Sequence, residues 1–479
     1  MKRLLIIFLC TAAMMIPLSC ADQLDINRNP LTASKADPNA VLPFVIVQYS
    51  NRTVTEIGTR MVDVYQHASA TFNSPRGGGG AAGGFLSSNQ WGMLYVTVLP
   101  NLSLVERDAR AAGISNNNVA AIAVTLKALA FLDATSLFGD IPFSQALRAE
   151  LFPQPDYDRQ EDVLRGIVIM LDDAMDLIDA LPATGTFNVA QGDLIYGGNM
   201  TNWRALANSL KIRVLMLLRN KDTSVDAQLT AALGEPYISS NTRAAMLQYP
   251  GNPGNQNAWL QIVTAFGTGS NETTNYFGPS PVMRQLLQDD PRLELYCVDG
   301  TAGGYKESDI GVFPTDEEAR YSNNLIRANL PDIWLLPAEI TFYRAELAAK
   351  GALAGDANAL YRQAVTETLQ FWGQTIPGAQ KTLTTDQITS FVNGLPDINP
   401  LTQAQQLKAI GEQQYLATFW CPIVSWNHVR RTKVPAIEAS PGSTITTMLK
   451  RLLYSPVERA ANPKTPDDML TDVPMWFEN

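Results

Sequence analysis

The sequence predicts a mostly α-helical body with long irregular loops, and three observations carry that expectation. Apolar residues recur at steps of three and four over 117–138 (Val119, Ile122, Leu126, Leu129, Leu132), the stripe of a helix facing a core. Residues 331–373 read as two such helices joined at Gly351, the physical form of a tetratricopeptide-type array, although no clean repeat of about 34 residues is present. Between the helical stretches lie Gly-, Asn- and Pro-rich segments of the kind that are usually functional when long.

The chain has 479 residues, 46% hydrophobic and 17% charged, enough for a large core. Residues 1–19 read as a signal peptide: Lys2-Arg3, an apolar run from Leu4 to Ile16, then Pro17-Leu18-Ser19 before Cys20. Two readings of Cys20 stand, an incidental cysteine after an ordinary signal or a lipidated anchor after cleavage; small Ser19 favours the second. The apolar run is too short to span a membrane, and acyl chains would hold the body there by burying methylenes. Without residues 1–19 the chain carries 34 basic against 46 acidic residues. That balance argues against nucleic acid and against anionic membrane surfaces. Cys297 and Cys421 could pair or remain two buried thiols, and no Cys/His cluster suggests a metal.

Taken in order, residues 20–44 form an extended arm broken by Pro30, Pro38 and Pro43, and a helix follows over roughly 45–68. Asn73–Phe85 is a glycine-rich loop that lacks the Gly-Lys-Ser/Thr of a phosphate-binding loop. A helix begins at Trp91-x-x-Leu94-Tyr95, and the long helix of 117–138 runs into Leu137-Phe138-Gly139-Asp140-Ile141-Pro142-Phe143-Ser144-Gln145-Ala146, where Pro142 forces an extended exit. The next helix places Val163, Ile167, Met170, Ala174 and Leu177 inward and Asp162, Asp172, Asp173 and Asp176 on a solvated face. A hairpin-like stretch at 192–199 precedes a helix capped by Thr201 or Asn202, with Trp203, Leu206 and Leu210 buried. Residues 250–280 read as a polar insertion outside the core. Asp290-Pro291-Arg292 reads as a loop-locking charge pair, and Pro331 as the opening of the helix that ends at Gly351.

In this order, the segments resemble the SusD/RagB family of outer-membrane, ligand-capturing lipoproteins, in its SusD-like branch. The matching pieces are the LFGDIPFSQA stretch, Trp203 to Arg213 against W-x-x-x-A-N-S-L-K-x-R, Gln288 to Leu293 against D-P-R-L, and Ala338 to Glu346 against A-E-x-x-F-x-x-A-E. Gln413 to Ala417 and Trp426 to Pro435 follow, with Gln414 in place of a usual Lys and His428 in place of a usual acid. Arg451 to Asn462 resembles the closing R-x-x-Y-P-x-x-E-x-x-N. The resemblance implies a superhelical scaffold of tetratricopeptide-like helix pairs over 45–479, with loops forming a ligand-binding face. It implies a surface-exposed outer-membrane lipoprotein that takes a small oligosaccharide or peptide and delivers it to a SusC-like TonB-dependent barrel. No cofactor and no catalysis are implied. A helical-repeat scaffold binding a protein or peptide, with no role in import, is the alternative.

The residues agree with the absence of catalysis. The sequence holds two histidines, His67 and His428, and no Gly-x-Ser-x-Gly elbow. No motif marks a carboxylate pair for glycoside cleavage. Ligand is expected on the loops at 72–85 and 255–277. Trp259 and Tyr276 are the first candidates and Phe72, Arg76, Phe85 and Phe277 the next, because an exposed aromatic in a polar loop serves contact better than packing. On this reading, removing the Trp259 indole costs binding and leaves stability unchanged.

Overall fold

The apolar spacing of the sequence becomes helices whose ends are set by prolines, glycines and capping side chains. The computed structural model describes residues 37–70, 84–266, 277–439, 447–467 and 471–478. Cys20, Phe72, Arg76 and Tyr276 lie outside the described residues. The described chain beyond Asp37 belongs to one compact unit, Pro38–Asn479.

Helix α1 (Pro38–Arg52) buries Leu42, Val45, Ile46 and Tyr49 and continues as a π-turn over Thr53–Gly58. It starts and ends earlier than the helix expected over 45–68. Residues 61–67 are turns, and Gln66 takes a φ of +55°, uncommon without glycine. α2 (Gly84–Trp91) passes through a π-turn into α3 (Leu99–Ala112). α4 (Asn117–Phe138) matches its expected bounds and is buried on almost every side; Gly139, at φ +85°, stops it. This helix is long and apolar enough to cross a membrane, but its apolar window is 94% buried within the body. α5 (Gln160–Asp179) follows. Two acids of its expected solvated face reach across to neighbouring helices, Asp173 to Arg110 and Asp172 to Lys211 at 2.5 Å.

α6 (Met200–Arg219) is capped by Asn199, whose side chain accepts from Asn202 N; Thr201 and Asn202 themselves lie inside the helix. The stretch before it is a set of turns closed around Asp193 and not a hairpin. Asp193 accepts from the backbone N–H groups of Ile195, Tyr196 and Gly198 and from Trp203 Nε1 at 2.7 Å. α7 (Asp226–Gly234) leads to β1 (Ala245–Leu247), α8 (Ala258–Phe266), α9 (Pro281–Leu286), α10 (Arg292–Tyr296), β2 (Cys297–Val298), β3 (Arg320–Tyr321) and β4 (Asp332–Leu335). β1 pairs antiparallel with β4, and β2 with β3. Pro331 therefore precedes a strand, and Pro337 opens the helix.

That helix, α11 (Pro337–Ala349), turns at Gly351 (φ +69°) into α12 (Ala357–Gln370), which Asp356 caps. α13 (Thr385–Gly394) and α14 (Gln403–Ala417) each begin with a reciprocal Thr/Gln capping box. α15 (Pro422–Thr432) and α16 (Pro456–Ala461) complete the chain. Helices α3 to α6 pack each on the next, and α11 packs on α12 and α14.

Two glutamates on α11, seven residues apart and so on one face, bind the rest together. Glu339 receives Arg213 of α6 at 2.6 and 2.7 Å, and Glu346 receives Arg431 of α15 at 2.7 and 2.6 Å. The loop after α4 is tied by the C-terminal segment: Arg451 donates to Phe138 O, Leu452 N to Leu137 O and the Tyr454 hydroxyl to Asp140 O. Arg292 and Asp290 form the expected buried pair, 2.5 Å apart, with Gln413 as a further acceptor. Cys297 and Cys421 are both free and buried.

Candidate functional site

A buried aromatic layer adjoins the segments that form the site. Trp259 lies 4.1 Å from Trp420 and within 4° of parallel, with Phe277 at its edge 4.9 Å away. An added Cβ at Gly58 would sit 3.1 Å from Trp259 Cζ2, so the glycine lets the indole in. Tyr65, Tyr415 and Phe419 surround the His67 ring, whose Nε2 meets Tyr415 O at 3.2 Å. Burial pulls the His67 pKa down to about 3 and that of His428 to about 4, so both rings are neutral in the folded chain.

Four segments far apart in sequence meet at this layer. Ala68 pairs with Pro279, Ser69 N donates to Gly278 O, and Gly311 N donates to Ser69 O at 2.7 Å. Gln66 Nε2 donates to Glu438 O, while Gln66 O accepts from Ser280 Oγ at 2.5 Å. These bonds hold the left-handed Gln66 in place, the kind of local strain that persists where surrounding structure fixes it. Between the segments is a cleft of about 560 Å³, lined by Gln66, Val282, Asp309, Val312, Glu438 and Ala439 among others. That volume lies in the range of small-molecule sites. Two carboxylates, Asp309 and Glu438, line it, and no cationic side chain does among the described residues. Carboxylates accept hydrogen bonds from hydroxyl and amine donors and repel anions.

The structure separates the candidate residues. Trp259 and Phe277 are 2% and 0% exposed, which corrects the expectation that they are exposed contact residues. α8 turns the supposed polar insertion into a core helix from Ala258 onward, and Trp420 supplies the stacking partner that no nearby residue promised. Phe85 is 66% exposed at the start of α2, with the Arg60 guanidinium 5.3 Å from its ring centre. The described residues stop at Ala70 and resume at Gly84, and stop again at Phe266 and resume at Phe277; Ala70 and Phe277 each stand two residues from the Ala68–Pro279 pairing beside this cleft. Asp309, Val312 and Glu438 are cleft residues that the sequence reading does not single out. The signal present was the length of 299–319, which shows no helical spacing.

A family model described as starch-binding, associating with outer membrane, of the SusD-like type, matches residues 82–455. Among solved structures, a Bacteroidetes AC2a SusD-like protein superposes with a TM-score of 0.79 at 19% identity, covering 93% of this chain and 100% of that one. A chitin-binding protein gives 0.77 at 21% identity over 90% and 95% of the two chains. A SusD homolog from Bacteroides fragilis gives 0.72 at 19% over 92% and 99%. At these identities the likeness is one of fold, and the fold is a scaffold of tetratricopeptide-like helix pairs. No curated protein sequence matches the chain significantly.

Proposed function

The chain belongs to the SusD-like family, and from that premise we propose that it captures a neutral oligosaccharide in the cleft bounded by 66–70, 277–282, 309–312 and 436–439. It then hands the sugar, unaltered, to a SusC-like TonB-dependent barrel. The observation that carries this reading is the pair of carboxylates, Asp309 and Glu438, in a cleft without lining cations among the described residues. Such a cleft accepts from sugar hydroxyls and disfavours anionic ligands. The starch-binding description of the family and the chitin-binding name of one neighbour support a glycan over a peptide. Phe72, Arg76 and Tyr276 are proposed to complete the cleft, the two rings as stacking faces and Arg76 as a donor that leaves the two carboxylates in excess, and Phe85 to stand at its margin. Anchoring through a lipidated Cys20 at the cell surface would place the cleft where nutrients arrive.

The test is a titration of the purified protein with a panel of neutral oligosaccharides and of peptides, followed by analysis of the recovered ligand. The expected result is saturable binding of at least one oligosaccharide, recovered intact. Binding confined to peptides, or a cleavage product that grows with protein concentration and survives repurification, contradicts the proposal.

A further inference from the structure

A second pocket, of about 210 Å³, opens where α11, α14 and α15 meet, lined by Asn220, Glu346, Lys350, Gln414, Arg431 and Thr432. Gly411 of α14 lets the chain beyond α15 close one wall, since a Cβ there would lie 2.8 Å from Val434 Cγ1. The pocket is less than half the volume of the cleft.

Gln414 is the unexplained residue. It is 1% exposed, yet neither its Oε1 nor its Nε2 has a hydrogen-bond partner among the described residues. A buried polar atom left without a partner keeps its full desolvation penalty, and an apolar side chain of similar shape would avoid that cost. A buried amide lining a cavity is suited to a ligand that supplies both missing bonds.

The charges around it define the ligand. Glu346 accepts from Arg431 on both oxygens and from Lys350 Nζ at 2.7 Å. Two cations against one carboxylate leave the lining with a net positive charge. Arg431 directs one hydrogen of each terminal nitrogen at Glu346, whereas Lys350 is 28% exposed and its ammonium has three hydrogens for the one bond it makes here. Asn220 Nδ2 is engaged by Phe477 O, and the Thr432 hydroxyl by His428 O. Among the lining groups, the Lys350 ammonium, the Gln414 N–H and the Gln414 carbonyl have hydrogen-bonding capacity for a ligand. We propose that this pocket is a second binding site, for a small hydroxylated carboxylate of the sugar-acid or hydroxy-acid class. Its carboxylate accepts from Lys350 and Gln414 Nε2, and its hydroxyl donates to Gln414 Oε1. The site is opposite in charge to the acidic cleft and does not depend on what the cleft binds.

The test uses the full chain, with sodium D-galacturonate and sodium lactate as probes. Calorimetry and thermal melts would compare wild type, Gln414→Leu, Lys350→Gln and the cleft variant Asp309→Asn/Glu438→Gln. At least one probe should bind wild type and the cleft variant equally. Its affinity should fall at least tenfold in Gln414→Leu and Lys350→Gln. Ligand-free Gln414→Leu should melt at or above the wild-type temperature, because it loses an unsatisfied amide. Three results would overturn the proposal: no binding of either probe at millimolar concentration, undiminished binding in Gln414→Leu, or a large drop in the melting temperature of that variant, which would make the amide a structural group.

Discussion

Trp259 shows what a single residue contributes once its partners are known. Its ring is stacked on Trp420 and edged by Phe277, inside the layer that carries the cleft. Trp259→Ala empties that space, and the expected loss is about 3–5 kcal/mol of folding stability by chemical denaturation. A denaturation midpoint equal to wild type would mean the indole is not packed. In the sequence this tryptophan has Gly, Asn and Pro neighbours and reads as exposed. Trp420, which decides the matter, is far along the chain, so no local pattern reveals the contact. A second residue, Asp133, ties stability to pH. The Tyr49 hydroxyl donates to it at 2.5 Å, and burial raises its carboxyl to about 7. The folded chain thus holds a proton that the unfolded chain releases near pH 4, so this contribution favours folding at low pH and is lost as pH rises through 7. Asp133→Asn lacks that loss. Its melting midpoint should gain on wild type by a few degrees between about pH 5 and pH 8; a constant difference over that range would show that Asp133 stays ionised.

Among the elements, the paired glutamates of α11 have the widest reach. Arg213 and Glu339 are both about 5% exposed. Glu339→Gln leaves a buried guanidinium with one carbonyl, Trp334 O, and with amide oxygen in place of carboxylate. The expected cost is about 3–5 kcal/mol, and Arg213→Met on the same background should recover most of it, because a buried pair is worth little more than well-packed apolar residues. A double-mutant cycle with no coupling between the two sites would refute the link between α6 and α11. Long helices were legible: α4 and α5 follow directly from apolar steps of three and four. The strands were not, because two to four residues carry too little alternation, and β4 forms only against β1, far earlier in the chain. Pro331 was misread for that reason, since a proline can lead into a strand as well as open a helix.

At the scale of the whole molecule, ordered segments exposed the fold where no single motif could. Their contacts explain why: the LFGD stretch and the closing Arg451–Tyr454 segment bind each other, and both glutamates of the A-E-x-x-F-x-x-A-E helix anchor other helices. The cleft was less legible because its walls come from four segments joined only by folding. Attachment is tested in cells. Cys20→Ala should move the protein from the membrane fraction to the soluble one, while a variant that stays membrane-bound with no lipid label lost would refute lipid anchoring through that residue. The central claim is that the acidic cleft holds a neutral glycan, and the direct measurement is calorimetric titration of the best oligosaccharide from the panel into wild type and into Asp309→Asn/Glu438→Gln. Replacing each carboxylate by a neutral amide, with one acceptor oxygen exchanged for a donor, should weaken binding at least tenfold, about 1.4 kcal/mol, with the melting temperature unchanged. Equal affinity in the two proteins, or no oligosaccharide bound by wild type, would contradict it.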